Sequence, residues 1–328
     1  MGNKIVVLIP SLNEERTIST VINKFKKKIS SAEIHVFDNN SVDNTKLKAK
    51  KAGALVHDVQ YKGKGNVVRR MFADVEGDIF IMIDADDTYD ISKLDSMLKL
   101  FKEKNLDMLV GKRVCKDKNA YRFGHIFGNK LFSKLVKLIF GDQINDLFSG
   151  FRIFSKRFIK SFSGNSKGFE IETELTVYAL EQRLPVAEIE CNYKSRPPGS
   201  FSKLSTFSDG LKILNVILVL VKDERPLFFF TILAIFFFTF SLVVGLPVVF
   251  NFFETGLVEK LPSAVLASIN MVIGFISFFS GLILDVVKKS RHERKRLNYL
   301  KWIYLIGILI FLKPVLFFFT RSLLLSCN

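Results

Sequence analysis

Phe228 to Phe250 contains no charged residue, and neither does Ala264 to Leu284. At 1.5 Å rise per residue each is long enough to cross a hydrocarbon layer of about 30 Å. A backbone in that layer must satisfy its own hydrogen bonds, so the expected structure is helical. Trp302 to Phe319 is a third apolar segment, shorter and interrupted by Lys313 and Pro314. We therefore expect a small α-helical transmembrane domain over 227–328, with two to three spanning helices at about 227–250, 264–287 and 302–320.

Residues 1 to about 226 have a different composition. They mix charged and apolar residues as a globular domain does, with enough length to bury a sizeable core. The early run Ile5 to Ile9 is too short for the apolar part of a signal peptide and reads as a first strand. Cys115, Cys191 and Cys327 are odd in number and widely separated, which fits reduced structural thiols.

The formal net charge is +16. Part of that excess lies in Lys288 to Lys301, where Lys288, Lys289, Arg291, Arg294, Lys295, Arg296 and Lys301 face the single acid Glu293. Asn251 to Ser263 holds only Lys260 against Glu254 and Glu259. Basic residues stay on the cytosolic side of a membrane, so the expectation is an integral membrane protein with a cytosolic N-terminal domain, in the inner membrane if the source is bacterial. Basic clusters beside spanning helices contact anionic headgroups, whereas nothing here resembles a nucleic-acid recognition motif. The partners expected from composition are a membrane and no nucleic acid, and the apolar helices also allow homo-oligomers.

Within the first 200 residues short apolar runs alternate with longer amphipathic ones. Lys4–Ile9, Glu33–Phe37, Ala54–Val59, Asp78–Ile83 and Asp107–Val110 have strand character, and 14–29, 43–52, 64–75 and 91–104 repeat apolar residues at helical spacing. That alternation predicts an α/β fold with a mainly parallel sheet covered by helices. Ligands of such sheets sit beyond the carboxyl ends of the strands. Three polar clusters fall there: Pro10-Ser11-Leu12-Asn13-Glu14, Asp38-Asn39-Asn40-Ser41 and Asp84-Ala85-Asp86-Asp87.

Asp84 and Asp86 flank a small residue at a strand end, a spacing that brings two carboxylates to one hard cation while substrate phosphate and water complete its shell. Asp87 could share that chemistry or cap the following helix. An EF-hand counted from Asp84 fails, because Tyr89 and Asp95 stand where Gly and Glu are needed. Asp38 and Glu14 can accept hydrogen bonds from a base or ribose, or serve the turns they sit in. Lys62-Gly63-Lys64-Gly65-Asn66 offers flexible backbone and positive charge at a helix start, without the spacing of a Walker loop. Leu204, Phe207, Leu211, Leu214 and Leu218 recur at helical spacing, so 201–226 reads as an amphipathic interfacial helix and linker.

Taken together, Val7-Leu8-Ile9-Pro10-Ser11-Leu12-Asn13-Glu14-Glu15, Asp38 to Thr45, Gly63-Lys64-Gly65 and Asp84 to Thr88 resemble family 2 glycosyltransferases of the GT-A fold. Within them the chain is most similar to polyprenyl-phosphate glycosyltransferases, the dolichol-phosphate mannose synthase and bactoprenol glucosyltransferase group. Asp146 to Arg152, Gly168 to Glu172 and Tyr193 to Leu204 match as well, so the resemblance covers about 4–222.

The resemblance implies a GT-A domain over 1–200 and transfer of a sugar from a UDP- or GDP-linked donor to undecaprenyl or dolichyl phosphate. Pro10, Leu12, Asn13, Glu14, Asp38, Asn40, Ser41, Lys64 and Gly65 would hold the nucleotide sugar, with Arg196 and Lys203 reaching its phosphates. Asp84 and Asp86 would hold Mg²⁺ or Mn²⁺. Arg113, Arg122 and Arg152 would meet the acceptor phosphate, for which a guanidinium is suited. Asp87 and Asp146 complete the expected catalytic set. A buried ion pair holding the loop is the structural alternative for Asp146 and Arg152, and helix-end chemistry is the alternative for Glu170 and Glu172. Competing functions are a processive polysaccharide synthase, for which a Q-x-x-R-W motif is missing, and a non-enzymatic membrane receptor or scaffold.

Overall fold

Four short strands form the all-parallel side of the sheet in the computed structural model, which describes residues 3–115, 144–164, 166–168, 170–194, 219 and 221–325, the backbone alone for Cys115 and 302–325. They are β1 (Ile5–Ser11), β2 (Glu33–Asp38), β3 (Leu55–Asp58) and β4 (Ile79–Met82). Val6 to Ile9 and Phe80 to Met82 are fully buried, as both faces of a covered parallel sheet require. The sheet continues with β5 (Met108–Cys115), β6 (Arg152–Ser155) and β7 (Val186–Tyr193), in the order β3-β2-β1-β4-β6-β5-β7. Only β6 runs antiparallel to its neighbours.

Helices α1 (Ile18–Lys28), α2 (Thr45–Lys51), α3 (Lys64–Asp74) and α4 (Leu94–Glu103) alternate with the first five strands, and α5 (Lys156–Ser161) and α6 (Ile171–Glu181) follow β6. Ile18, Val21, Ile22 and Phe25 put one face of α1 into the core, joined by Leu94, Met97 and Phe101 of α4. The expected strands and helices are present with small shifts of their ends. β5 runs on to Cys115, beyond the expected Val110, and α1 begins at Ile18 and not Glu14, because Glu14 lies in a turn whose carbonyl accepts from the amides of Thr17 and Ile18.

The chain divides into two units, 1–210 with 295–328, and 211–294. Among the described residues two long helices follow the globular part, α7 (Pro226–Thr255) and α8 (Leu261–Leu325). Pro226–Thr255 and Leu261–Lys301 are both long and apolar enough to cross a membrane. In the second unit they pack closely: Ser241 Oγ donates to the Ala267 carbonyl at 2.7 Å, and a Cβ on Gly274 would lie 2.5 Å from the Phe238 ring. Phe228, Phe236, Phe250, Phe253, Phe279 and Ile283 face outward.

The backbone is helical straight through Lys288 to Lys301 and past Pro314, so the expected loop between the second and third apolar segments is a helical turn sequence of α8. Within the first unit, Lys295 Nζ donates to Glu181 Oε2 at 2.9 Å, and the Tyr299 hydroxyl donates to Asp107 Oδ2 at 2.7 Å. The proposed interfacial helix lies almost wholly outside the described residues.

Candidate active site

The register of the sheet brings the first two polar clusters side by side. Ser11 at the end of β1 pairs with Asp38 at the end of β2, and β4 flanks β1 on the other side. The β1 and β2 loops are laced together: the Asn13 amide donates to Ser41 Oγ, the Val42 amide to Asn13 Oδ1, and the Glu14 amide to Thr45 Oγ1, all within 2.9 Å. Asn39 ties this pair to the next loop, donating to the carbonyls of Val59 and Tyr61 and accepting from the Gly63 amide. Asn13, Asn40 and Ser41 thus spend much of their capacity on loop structure. Asn13, Asn40 and Asp87 all hold left-handed backbone, with φ of 52°, 62° and 56°. Such strain collects at functional sites, and Asn and Asp tolerate it best.

Asp38 is fully buried. Its Oδ2 accepts from the Ser41 amide at 2.9 Å, while Oδ1 has no hydrogen-bond partner among the described residues. A buried carboxylate oxygen left in this state costs free energy unless a donor reaches it. A base N–H or a ribose hydroxyl is a donor of the right kind.

Asp84 stands at the centre of the second half of the site. Its Oδ1 accepts from Lys64 Nζ at 2.5 Å, and the same ammonium donates to Glu172 Oε1 at 2.5 Å. Lys64 is held at the start of α3 by close backbone contact: a Cβ on Gly65 would lie 2.1 Å from the Ser166 carbonyl oxygen, and the Gly65 amide donates to Lys167. Gly65 therefore serves this junction, and Lys64 is the lysine of the loop that meets Asp84. Burial opposes the lysine charge, but the carboxylates of Asp84 and Glu172 outweigh it and hold the pKa above that of an ordinary lysine. The other Asp84 oxygen lies against the α-carbon of Gly150, where a Cβ would approach Oδ2 to 2.2 Å.

Asp86 is buried, and its Oδ1 accepts from the Thr88 hydroxyl at 2.6 Å. Asp87 turns toward α1 and pairs with Lys24. Tyr89 is buried, and its hydroxyl accepts from the Gly150 amide at 2.8 Å. Burial raises the pKa of that phenol well above its usual value, so it is a neutral group bracing the 149–151 turn. Among the described residues no group of three or more His, Cys, Asp or Glu side chains could hold a metal ion. Asp84 and Asp86 fit the smaller demand of Mg²⁺ or Mn²⁺ that draws its remaining ligands from a diphosphate and water.

Two residues expected at different tasks are partners of each other. Arg113 Nε and an Arg113 terminal nitrogen donate to the two Asp146 oxygens at 2.8 and 2.7 Å, and the Arg113 amide adds a third bond at 2.9 Å. Burial raises the Asp146 pKa, but these bonds and the guanidinium charge more than offset it and keep the carboxyl below its usual range. Arg113 also lies over the Tyr193 ring, 5.5 Å from its centroid.

Arg152 has no exposed surface. Its guanidinium donates to the carbonyls of Leu147 and Ser149 and to Thr176 Oγ1, each at 2.8 Å. Those bonds brace the 147–149 turn against α6. The expected contact with an acceptor phosphate does not fit this geometry, because the guanidinium does not reach a surface where a phosphate can meet it.

The protein-family comparison matches residues 6–162 to the model described as glycosyl transferase family 2. An uncharacterised Shigella flexneri protein is 46% identical over 154 residues, 47% of this chain and 94% of that protein. The chain belongs to glycosyl transferase family 2. Glycosyltransferase AglJ of Haloferax volcanii is 27% identical over 90% of this chain and 98% of its own length, so this likeness extends beyond the family 2 domain into the apolar helices. A dolichyl-phosphate hexose transferase of the same organism is 24% identical over 67% of this chain and 95% of its length. Among solved structures, Mycobacterium tuberculosis glucosyl-3-phosphoglycerate synthase with Mn²⁺, UDP and glucosyl-3-phosphoglycerate aligns at a TM-score of 0.52 and 23% identity, covering 67% of this chain and 80% of that one. That likeness establishes a shared GT-A-like fold.

The chain is thus a family 2 glycosyltransferase, with the Pro10–Glu14 and Asp38–Ser41 loops joined at one sheet edge and Lys64 joined to Asp84. Arg122, Arg196 and Lys203 lie outside the described residues. Tyr89 and Lys24 carry no site signal in the sequence, whereas the resemblance hints at a role near the active site for Glu172. For Glu172 the signal was its place in the Gly168–Glu172 match, set against the ordinary preference of acids for a helix start.

Proposed function

We propose that this glycosyltransferase moves a sugar from a UDP- or GDP-linked donor to a polyprenyl phosphate at the cytosolic face of a membrane, with inversion at the anomeric carbon. The observation that carries the reading is one chain holding both this carboxylate-bearing sheet edge and two helices long and apolar enough to cross a membrane. The dolichyl-phosphate hexose transferase among the relatives supports the acceptor class. The Mn²⁺ and UDP bound by the structural neighbour support the donor and the cation. The excess of basic residues in Lys288 to Lys301 supports a cytosolic globular unit and integral membrane placement.

In this reading Asp38 takes a donor group of the nucleoside through its unpartnered oxygen. Asp84 and Asp86 hold Mg²⁺ or Mn²⁺, which when bound neutralises charge on the departing diphosphate. Lys64, and Arg196 and Lys203 beyond the described residues, add positive charge to the same phosphates. The acceptor monophosphate has a second pKa near 6, so at neutral pH it is largely a dianion and needs positioning more than deprotonation. Asp146, fixed by Arg113, fits an orienting role and not that of a general base. Arg122 remains the candidate for the acceptor phosphate, with any contact from Arg113 made around its pair with Asp146.

Incubating the purified full-length protein with polyprenyl phosphate and a panel of UDP- and GDP-sugars tests the proposal. One nucleotide sugar should give a chloroform-soluble, acid-labile sugar phosphate lipid, and EDTA should stop its formation until Mg²⁺ or Mn²⁺ is restored. Absence of any lipid-linked sugar with every donor would contradict the reading.

A further inference from the structure

Lys64 has two carboxylate partners that are held in different ways. Glu172 lies in the first turn of α6, buried, and its backbone carbonyl accepts from Thr176 Oγ1, the hydroxyl that Arg152 also engages. The segment just before α6 closes on the start of α3 through the Gly65 amide to the Lys167 carbonyl at 3.1 Å, and the Ser166 amide donates to Glu174 at 2.9 Å. Lys64 and Glu172 are therefore fixed to each other by backbone contacts that do not involve Asp84. Asp84 belongs to the loop after β4 and meets the ammonium only through its side chain.

We propose that Glu172 is a positioning residue that anchors Lys64 while the lysine exchanges Asp84 for a phosphate oxygen of the donor. A cation taking the Asp84 oxygen that Lys64 holds displaces an ammonium that is nine-tenths buried. Leaving that ammonium without a counter-charge would be costly, and Glu172, 2.5 Å away, removes the cost. The lysine stays charged, stays in place and turns a donor N–H to the diphosphate. With Glu172 neutral, Asp84 becomes the sole carboxylate of this trio for Lys64, and cation and lysine compete directly. This inference rests on the proposed cation site at Asp84.

A double-mutant cycle on the full-length protein in detergent, read by Mn²⁺ electron paramagnetic resonance with UDP, and in a second series GDP, supplying the diphosphate, separates this role from a structural one. Glu172→Gln should weaken Mn²⁺ binding about tenfold, and Glu172→Asp should recover part of that loss. In a Lys64→Met background, where no ammonium competes, Glu172→Gln should change Mn²⁺ affinity less than twofold. An equal loss in both backgrounds, or no loss in either while the wild type binds Mn²⁺, overturns the proposal. A wild type that binds no Mn²⁺ overturns instead the cation site on which it rests. Circular dichroism confirms that each variant is folded, and Glu172→Asp keeps the cycle decisive if the Gln variant is not.

Discussion

Asp84→Asn should abolish sugar transfer, by roughly three orders of magnitude, while the protein keeps its fold and its melting temperature within a few degrees. The rate effect follows from exchanging a charged ligand for a neutral amide where a hard cation must offset the charge of a leaving diphosphate, a contribution worth several kcal/mol. The stability is spared because Lys64 retains Glu172 as a partner after the change. Asp86→Asn should also lower activity strongly, but Asp86 is bonded to Thr88 in a buried turn, so some loss of stability accompanies it. Transfer rates at saturating donor and Mn²⁺, with thermal melts of the same samples, check both statements. An Asp84→Asn protein with near wild-type turnover would remove Asp84 from the cation site.

Arg152→Ala is expected to have its largest effect on stability. The guanidinium is wholly buried and bonds two carbonyls and a hydroxyl, so truncation leaves those acceptors unsatisfied and opens a cavity between β6 and α6. Losses of this kind amount to about 3–5 kcal/mol, a fall in melting temperature on the order of 10 °C for a domain of this size. A phosphate-binding arginine would behave differently, raising the acceptor KM with little change in melting. Thermal unfolding and acceptor kinetics on the one variant distinguish the two outcomes, and an unchanged melting temperature would contradict the bracing role.

The central sheet was legible in the sequence because its strands are unbroken runs of buried apolar residues. Val6 to Ile9 and Ile79 to Ile83 are short apolar runs of strand length, and all of them are buried. The two later strands leave a weaker local signal. Arg152–Ser155 is four residues long and opens with a buried arginine, and Val186–Tyr193 alternates Glu with apolar residues at the sheet edge, where only pairing with β5 fixes it. Local pattern carries little information about such non-local pairing.

The same division holds in the site. Three clusters could be placed at strand ends because strand ends are visible in sequence. The partner of each side chain could not, since Lys64 and Glu172 are 108 residues apart, and Arg113 and Asp146 are 33 apart. An arginine in a phosphate enzyme invites a phosphate role, and only burial reveals that Arg152 is committed to carbonyl groups. The basic stretch after the second apolar segment reads as a loop by charge, yet Lys288 to Lys301 contains no Gly or Pro to stop a helix.

Acceptor choice is the most direct test of the whole account. Full-length protein in proteoliposomes would be given its nucleotide sugar together with polyprenyl phosphate and a soluble phosphate acceptor such as 3-phosphoglycerate, and both phases analysed by mass spectrometry. The account predicts a single product, a sugar joined through one phosphate to the polyprenyl chain, with anomeric configuration opposite to that of the donor. Transfer to the soluble acceptor with none to the lipid, or a product of retained configuration, would contradict it.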